Sequence, residues 1–158
     1  ILLYRKEFMQ EAVRLAVENV KNGTGGPFGA VVVRNGEVIA AAANTVTLDC
    51  DPTAHAEVNA IREACRRLAT HQLTGCDIYC SCEPCPMCLG AIYWARPARV
   101  YYAATKDDAA QAGFDDSFIY REIVLPQEER TIPFRREKLP LSGEEFRCWT
   151  QEEDKVAY

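Results

Sequence analysis

Apolar residues recur at helical spacing near the start of the chain. Met9, Val13, Ala16, Val17 and Val20 mark one face of a helix from Lys6 to about Asn22, where Asn22-Gly23 stops it. Gly25-Gly26-Pro27-Phe28-Gly29 breaks the pattern and leads into Ala30-Val31-Val32-Val33, a short strand. Asn35-Gly36 is the strongest two-residue hairpin signal, and Val38-Ile39-Ala40-Ala41 returns as the partner strand. A polar connection from Asn44 to Pro52 follows. Thr53 is then placed to cap a helix whose apolar stripe is Ala54, Val58, Ile61, Cys65 and Leu68. Ile78-Tyr79-Cys80-Ser81 reads as a buried strand, and a helix from about Met87 to Ala95 is stopped by Pro97. Arg99 to Ala103 is the next strand. Ala112 to Phe118 predicts a turn and a short helix, and Phe134 to Leu139 a final strand. Ser142 with Glu145 reads as a capping box for a last helix with Phe146 and Trp149 on its apolar face. An opening hairpin followed by strand–helix–strand alternation predicts an α/β sandwich around a mixed sheet, five strands in all.

Composition narrows this further. The chain has 158 residues, 48% of them hydrophobic, enough to bury one core, so 1–158 is expected to be a single domain. No apolar run approaches the ~20 residues that span a bilayer, and the first residues lack a signal-like block, so a soluble cytoplasmic protein is expected, with no membrane partner. A formal net charge of −5 argues against a broad nucleic-acid footprint. Eight cysteines in a chain with a core of this size are expected to stay reduced. Five of them, Cys76, Cys80, Cys82, Cys85 and Cys88, crowd one segment, and the last two have the ligand spacing. Cys82 is close enough in sequence to be a site of oxidation or misligation. Cys50, Cys65 and Cys148 read as small apolar residues, and His71 as a surface residue.

The chemistry gathers in Thr53-Ala54-His55-Ala56-Glu57 and Pro84-Cys85-Pro86-Met87-Cys88. His55, Cys85 and Cys88 supply three ligands and leave a fourth position for water, the composition of a catalytic rather than a structural zinc. Mixed nitrogen and thiolate ligands favour zinc over other divalent metals. Cys85 and Cys88, three apart on one helix start, would face a second helix start carrying His55. Glu57, two residues after His55, starts from another face of its helix and can reach past the metal as a proton shuttle. A lone Cys-x-x-Cys is also found in redox pairs and structural zinc knuckles; His55 and Glu57 tip the balance towards metal catalysis. A zinc-stabilised binding module without catalysis is the alternative. Phe28 is either part of a tight turn or a base-stacking side chain. Asn44 either closes the hairpin region or reads a purine edge. Trp94 suits core packing or a pocket wall, Asp115-Asp116 a solvated turn or a site, and Glu83 a helix cap.

His-x-Glu followed by Pro-Cys-x-x-Cys is the established signature of zinc-dependent nucleobase deaminases, and every position of it is present. The chain resembles the cytidine deaminase superfamily. At Gly25 to Ala30, Asp51 to Glu57, Cys82 to Arg96 and Gly113-Phe114-Asp115-Asp116-Ser117-Phe118-Ile119-Tyr120 it looks specifically like the bacterial guanine deaminases of that superfamily. The resemblance implies a three-layer α/β/α sandwich and hydrolysis of guanine to xanthine and ammonia with Zn2+. It implies that His55, Cys85 and Cys88 hold the metal, that Glu57 moves the protons, and that Phe28, Asn44, Ala56, Trp94, Asp116 and Tyr158 contact the substrate. Asp116 would accept from a purine N–H. It also implies a homodimer in which the segment 139–158 is exchanged, so that Tyr158 closes the partner's pocket. A guanosine deaminase, or another nucleoside or nucleobase deaminase of the superfamily, is the nearest alternative.

Overall fold

The computed structural model describes residues 3–158. In chain order the elements are α1 (Lys6–Lys21), β1 (Gly29–Arg34), β2 (Glu37–Ala43), α2 (Val46–Asp49), α3 (Ala56–Leu68), β3 (Cys76–Cys82), α4 (Pro86–Ala95), β4 (Arg99–Ala104), α5 (Lys106–Gln111), α6 (Ser117–Ile123), a 3-10 turn (Gln127–Glu129) and α7 (Glu144–Gln151). They form two compact units, one ending at Asp116 and one of Ser117–Tyr158.

In the first unit the sheet order is β2-β1-β3-β4, with β1 antiparallel to both neighbours and β3 parallel to β4. The Asn35-Gly36 turn has φ of 52° and 79°, the paired positive values a tight hairpin turn requires. Strand alternation sorts the core into two halves. Val31, Val33 and Tyr79 pack against Phe8, Met9 and Ala12 of α1, while Ala30, Val32, Ile78 and Cys80 pack against Ala56, Ala60 and Ala64 of α3 and Ile92 and Ala95 of α4. The α/β/α layering is therefore as expected, and the sheet is mixed.

The buried stripe of α1 is Phe8, Met9, Ala12, Ala16 and Asn19, rotated from the valine face that periodicity suggests. Val13, Val17 and Val20 are exposed. The reason is close approach: a Cβ on Gly29 would stand 2.2 Å from the carbonyl oxygen of Ala12 and 3.0 Å from the backbone nitrogen of Ala16. Only a small-residue face lets the helix lie so near the strand, and the branched valines are left on the flanks. Gly29→Ala is expected to lower stability by about 3 kcal/mol, read as a lower urea midpoint at unchanged slope, because the collision is with backbone and cannot be relieved by a rotamer.

Three further expectations are corrected. The sheet has four strands, not five, among the described residues; 134–139 is irregular. Arg135-Arg136-Glu137-Lys138 gives no alternating apolar face, Pro133 and Pro140 bracket the segment without N–H donors, and the Phe134 ring instead receives the Arg130 guanidinium at 5.0 Å. Thr53 does not cap α3: its hydroxyl and N–H both donate to Asp51 Oδ1 (2.7 and 2.8 Å), and His55 takes the cap position. Ser142 does not cap α7 either. Gly143 holds that position at φ 97°, with Glu145 accepting from its N–H, while the Ser142 hydroxyl accepts from Leu139 N–H. Thr105 and Asp108 do form a capping box, at the start of α5.

In the second unit Glu122 organises the turn after α6, accepting from both the N–H and the hydroxyl of Thr131 at 2.9 and 2.7 Å. No helix among the described residues is long and apolar enough to cross a membrane.

Candidate metal centre

Two helix starts converge at the C-terminal end of β3. β3 ends at Cys82, and Glu83-Pro84 carries the chain to Cys85, the N-cap of α4, with Pro86 in the first turn. Proline suits that position because it lacks the N–H that would go unpaired there. The Cys85 sulfur accepts from Cys88 N–H at 3.5 Å, so the cap itself fixes the spacing of the two thiols. His55, extended at φ −70° and ψ 156°, caps α3 without using its side chain for the backbone. Its imidazole is free to meet them.

His55 Nδ1 lies 3.5 Å from Cys85 Sγ and 3.5 Å from Cys88 Sγ. All three ligand atoms are within 4.8 Å of one another. Zinc–sulfur and zinc–nitrogen bonds of about 2.3 and 2.0 Å at a tetrahedral angle put sulfur and nitrogen about 3.5 Å apart, so this donor set fits zinc both chemically and in span. Cys88 is fully buried, while His55 and Cys85 are half-buried and leave one side open. Glu57, only 6% exposed, sets its Oε2 3.4 Å from Cys88 Sγ. It sits beside the ligand set and is not part of it.

The four ionisable side chains act strongly on one another. A hydrogen bond from the Cys88 thiol, then the imidazole of His55, hold the Cys85 thiol far below the usual thiol range; Cys88 is pushed up in turn by Cys85, by burial and by the Glu57 charge. The Cys85 hydrogen bond raises His55 against the opposing effect of burial. Burial, above all, raises Glu57. The N-terminal ends of α3 and α4 both favour negative charge here, and metal binding would displace the protons these groups share. Cys80 and Cys82 are different. Burial and the Glu57 charge raise both, Cys82 to about 11, and the Cys82 thiol donates to Thr105 O at 3.5 Å. Cys82 therefore stands outside the ligand cluster as a buried, protonated thiol.

Phe28 is half-buried and meets Phe114 edge-to-face, with ring centroids 5.1 Å apart at 89°. Its carbonyl accepts from the N–H of buried Asn44 at 3.1 Å. Ala56, the first residue of α3, is wholly buried and joins the core. Asp116 is half-buried, and its carboxyl is raised first by burial, with the charge of Cys85 acting in the same direction. Trp94 is 63% exposed and is not core packing. Glu83 accepts from Lys106 N–H at 3.3 Å, bridging to α5 instead of capping α4. His71 is exposed, as expected. Tyr158 lies in the second unit and is also exposed.

Two residues escaped the reading of motifs. Asn59, one turn after His55, donates through Nδ2 to Ala43 O (3.0 Å) and Thr45 Oγ1 (2.9 Å), tying the Asn44 segment to the helix that carries His55 and Glu57. An asparagine inside a helix, where its propensity is poor, was the available signal. Phe114 gave none, since its partner Phe28 is 86 positions away in sequence.

Residues 4–104 match the pattern of the cytidine and deoxycytidylate deaminase zinc-binding region. The chain is 58% identical over 151 residues to guanine deaminase of Bacillus subtilis (strain 168), covering 96% of this chain and 97% of that one. A crystal structure of guanine deaminase from Bacillus subtilis superposes with a TM-score of 0.96 at 56% identity, covering 99% of both chains. The tRNA-specific adenosine deaminase of Aquifex aeolicus (strain VF5) is 44% identical over 100 residues, covering 63% of this chain and 66% of that one.

Proposed function

The chain belongs to the cytidine and deoxycytidylate deaminase zinc-binding family, and from that premise we propose that it is a zinc-dependent hydrolase converting guanine and water to xanthine and ammonia. The observation that carries the choice of base is coverage. Likeness to a guanine deaminase runs over 96% of the chain, whereas likeness to the tRNA-specific adenosine deaminases of Aquifex aeolicus and Buchnera aphidicola covers 63% and 68%. The net charge of −5 is also unlike that of a polynucleotide-binding surface.

His55, Cys85 and Cys88 hold the zinc, which when bound supplies the Lewis acidity that ionises water near neutral pH. Glu57 does the proton work. Its buried carboxyl, raised by burial, takes the two protons of the attacking water in turn, delivering one to the ring nitrogen and the other to the departing amine. Phe28, braced by Phe114, stacks on the purine, and Asn44 reads its edge. Trp94 lines the pocket, and the backbone at Ala56 borders it. Asp116 accepts from a purine N–H, a donor that cytosine and adenine do not offer in the same arrangement. Asp116→Asn is therefore expected to raise KM for guanine by about tenfold or more with zinc content unchanged, as loss of a charge-assisted hydrogen bond would do. An unchanged KM would remove Asp116 from recognition.

The chain is read as one functional domain whose segment 139–158 is exchanged within a homodimer, with Tyr158 of the partner subunit completing the pocket. The unburied apolar side chains Leu139, Leu141, Phe146 and Trp149 support that reading. The eight unpaired cysteines support a reducing, cytoplasmic setting.

The deciding experiment is ammonia release from guanine, guanosine, adenine, cytosine and cytidine, using protein of measured zinc content. Guanine alone is expected to react. Release from guanosine or cytosine without release from guanine would overturn the assignment.

A further inference from the structure

We infer that Asn19, on the first helix and 36 positions before His55, is a positioning residue that sets the width of the purine slot by clamping the Gly25–Phe28 loop to Asn44. It is the one polar residue in the buried stripe of α1 and is 7% exposed. Its position continues the line of Phe8, Ala12 and Ala16, where core packing alone would favour an apolar side chain. The amide is instead used on both ends. Nδ2 donates to Gly26 O at 2.8 Å and to Asn44 O at 2.9 Å, and Oδ1 accepts from the Thr24 hydroxyl at 2.7 Å.

One NH2 group thus joins two backbone carbonyls, one from each of the chain segments that carry Phe28 and Asn44. The Gly26 carbonyl also accepts from Phe28 N–H at 2.9 Å, and the Phe28 carbonyl accepts from Asn44 N–H at 3.1 Å. The stacking ring and the edge-reading amide are therefore held in one hydrogen-bonded ring whose remaining corner is Asn19. The fit is tight. A Cβ at Gly25 would stand 2.2 Å from Asn44 O and 2.7 Å from Asn19 Nδ2, so the loop can pass the clamp only as glycine. Asn44 Oδ1 is in turn fixed by Val46 N–H at 3.2 Å. Without the two Nδ2 bonds, the carbonyls of half-buried Gly26 and buried Asn44 lose their shared donor, and the loop can drift from Asn44 while the metal ligands, on other elements, stay where they are.

This inference rests on Phe28 and Asn44 being the substrate contacts of the deaminase reading. The test is steady-state kinetics of Asn19→Asp, nearly isosteric and able to keep the Thr24 bond, but presenting an oxygen where the two donors were. KM is expected to rise about tenfold, with kcat within about threefold and zinc still at about one per chain, the pattern of lost binding without lost chemistry. Asn19→Ser, whose hydroxyl can donate once, serves if the aspartate variant does not fold and is expected to show a smaller rise of the same kind. Phe8→Leu, on the same helix but against Tyr79, is the control for general loosening. The inference is overturned if KM stays at the wild-type value in the Asn19 variants, if kcat falls as much as kcat/KM, or if Phe8→Leu raises KM equally. Wild-type protein is assayed first on the five-substrate panel, and the variants on whichever base it turns over. Failure on guanine alone then refutes the substrate assignment without touching the clamp, and failure on all five refutes both.

Discussion

Replacing Glu57 by glutamine is expected to leave zinc bound and to slow guanine turnover by about 10³-fold, within the range for removing a positioned general acid–base group. The substitution preserves volume and a hydrogen-bonding side-chain oxygen 3.4 Å from Cys88 Sγ, so the buried wall of the site is kept. What is lost is the capacity to accept and return a proton. The side chain is 6% exposed, so bulk water has little access to relay protons in its place. Zinc assay and kcat on the same preparation check this. A variant within about threefold of the wild-type rate would show that Glu57 is not the shuttle.

Replacing His55 by alanine should act one step earlier, on the metal itself. Two thiols and no imidazole leave a donor set one short of the three that an open catalytic zinc site uses. His55 Nδ1 is also the atom equidistant, at 3.5 Å, from both sulfurs. Zinc per chain is expected to fall from about one to near zero, with activity falling in parallel. The thermal midpoint should drop towards that of wild-type protein stripped with a chelator, because metal binding to the folded state is part of its stability. Full zinc occupancy in His55→Ala would exclude His55 as an essential ligand.

The metal cluster was legible because its geometry is local. Cys85 and Cys88 are brought together by a single helical turn, and His55 is fixed to Glu57 by two residues of spacing, so only the meeting of two helix starts had to be supplied by the fold. The hairpin at Asn35-Gly36 and the strand Ile78 to Ser81 were legible for the same reason. What sequence did not reveal depends on contacts between distant segments. The valines of α1 give a helical period but not the face that is buried, which is set by how near Gly29 comes to Ala12. Thr53 has the chemistry of a cap, yet Asp51 two residues away competes for its hydroxyl. The run from Phe134 to Leu139 has two apolar ends, but the four charges between them and the flanking prolines leave it without a face to bury. Asn19 and Asn59 are invisible to any motif, since their importance lies in the carbonyls of residues 7 to 25 positions away that they hold in place.

The measurement that bears most directly on the central claim is product analysis with guanine as the sole substrate, using wild-type protein assayed for zinc. Xanthine and ammonia appearing in equal amounts, in proportion to the zinc-loaded fraction, is the predicted result. Zinc at about one per chain with guanine recovered unchanged would contradict the assignment.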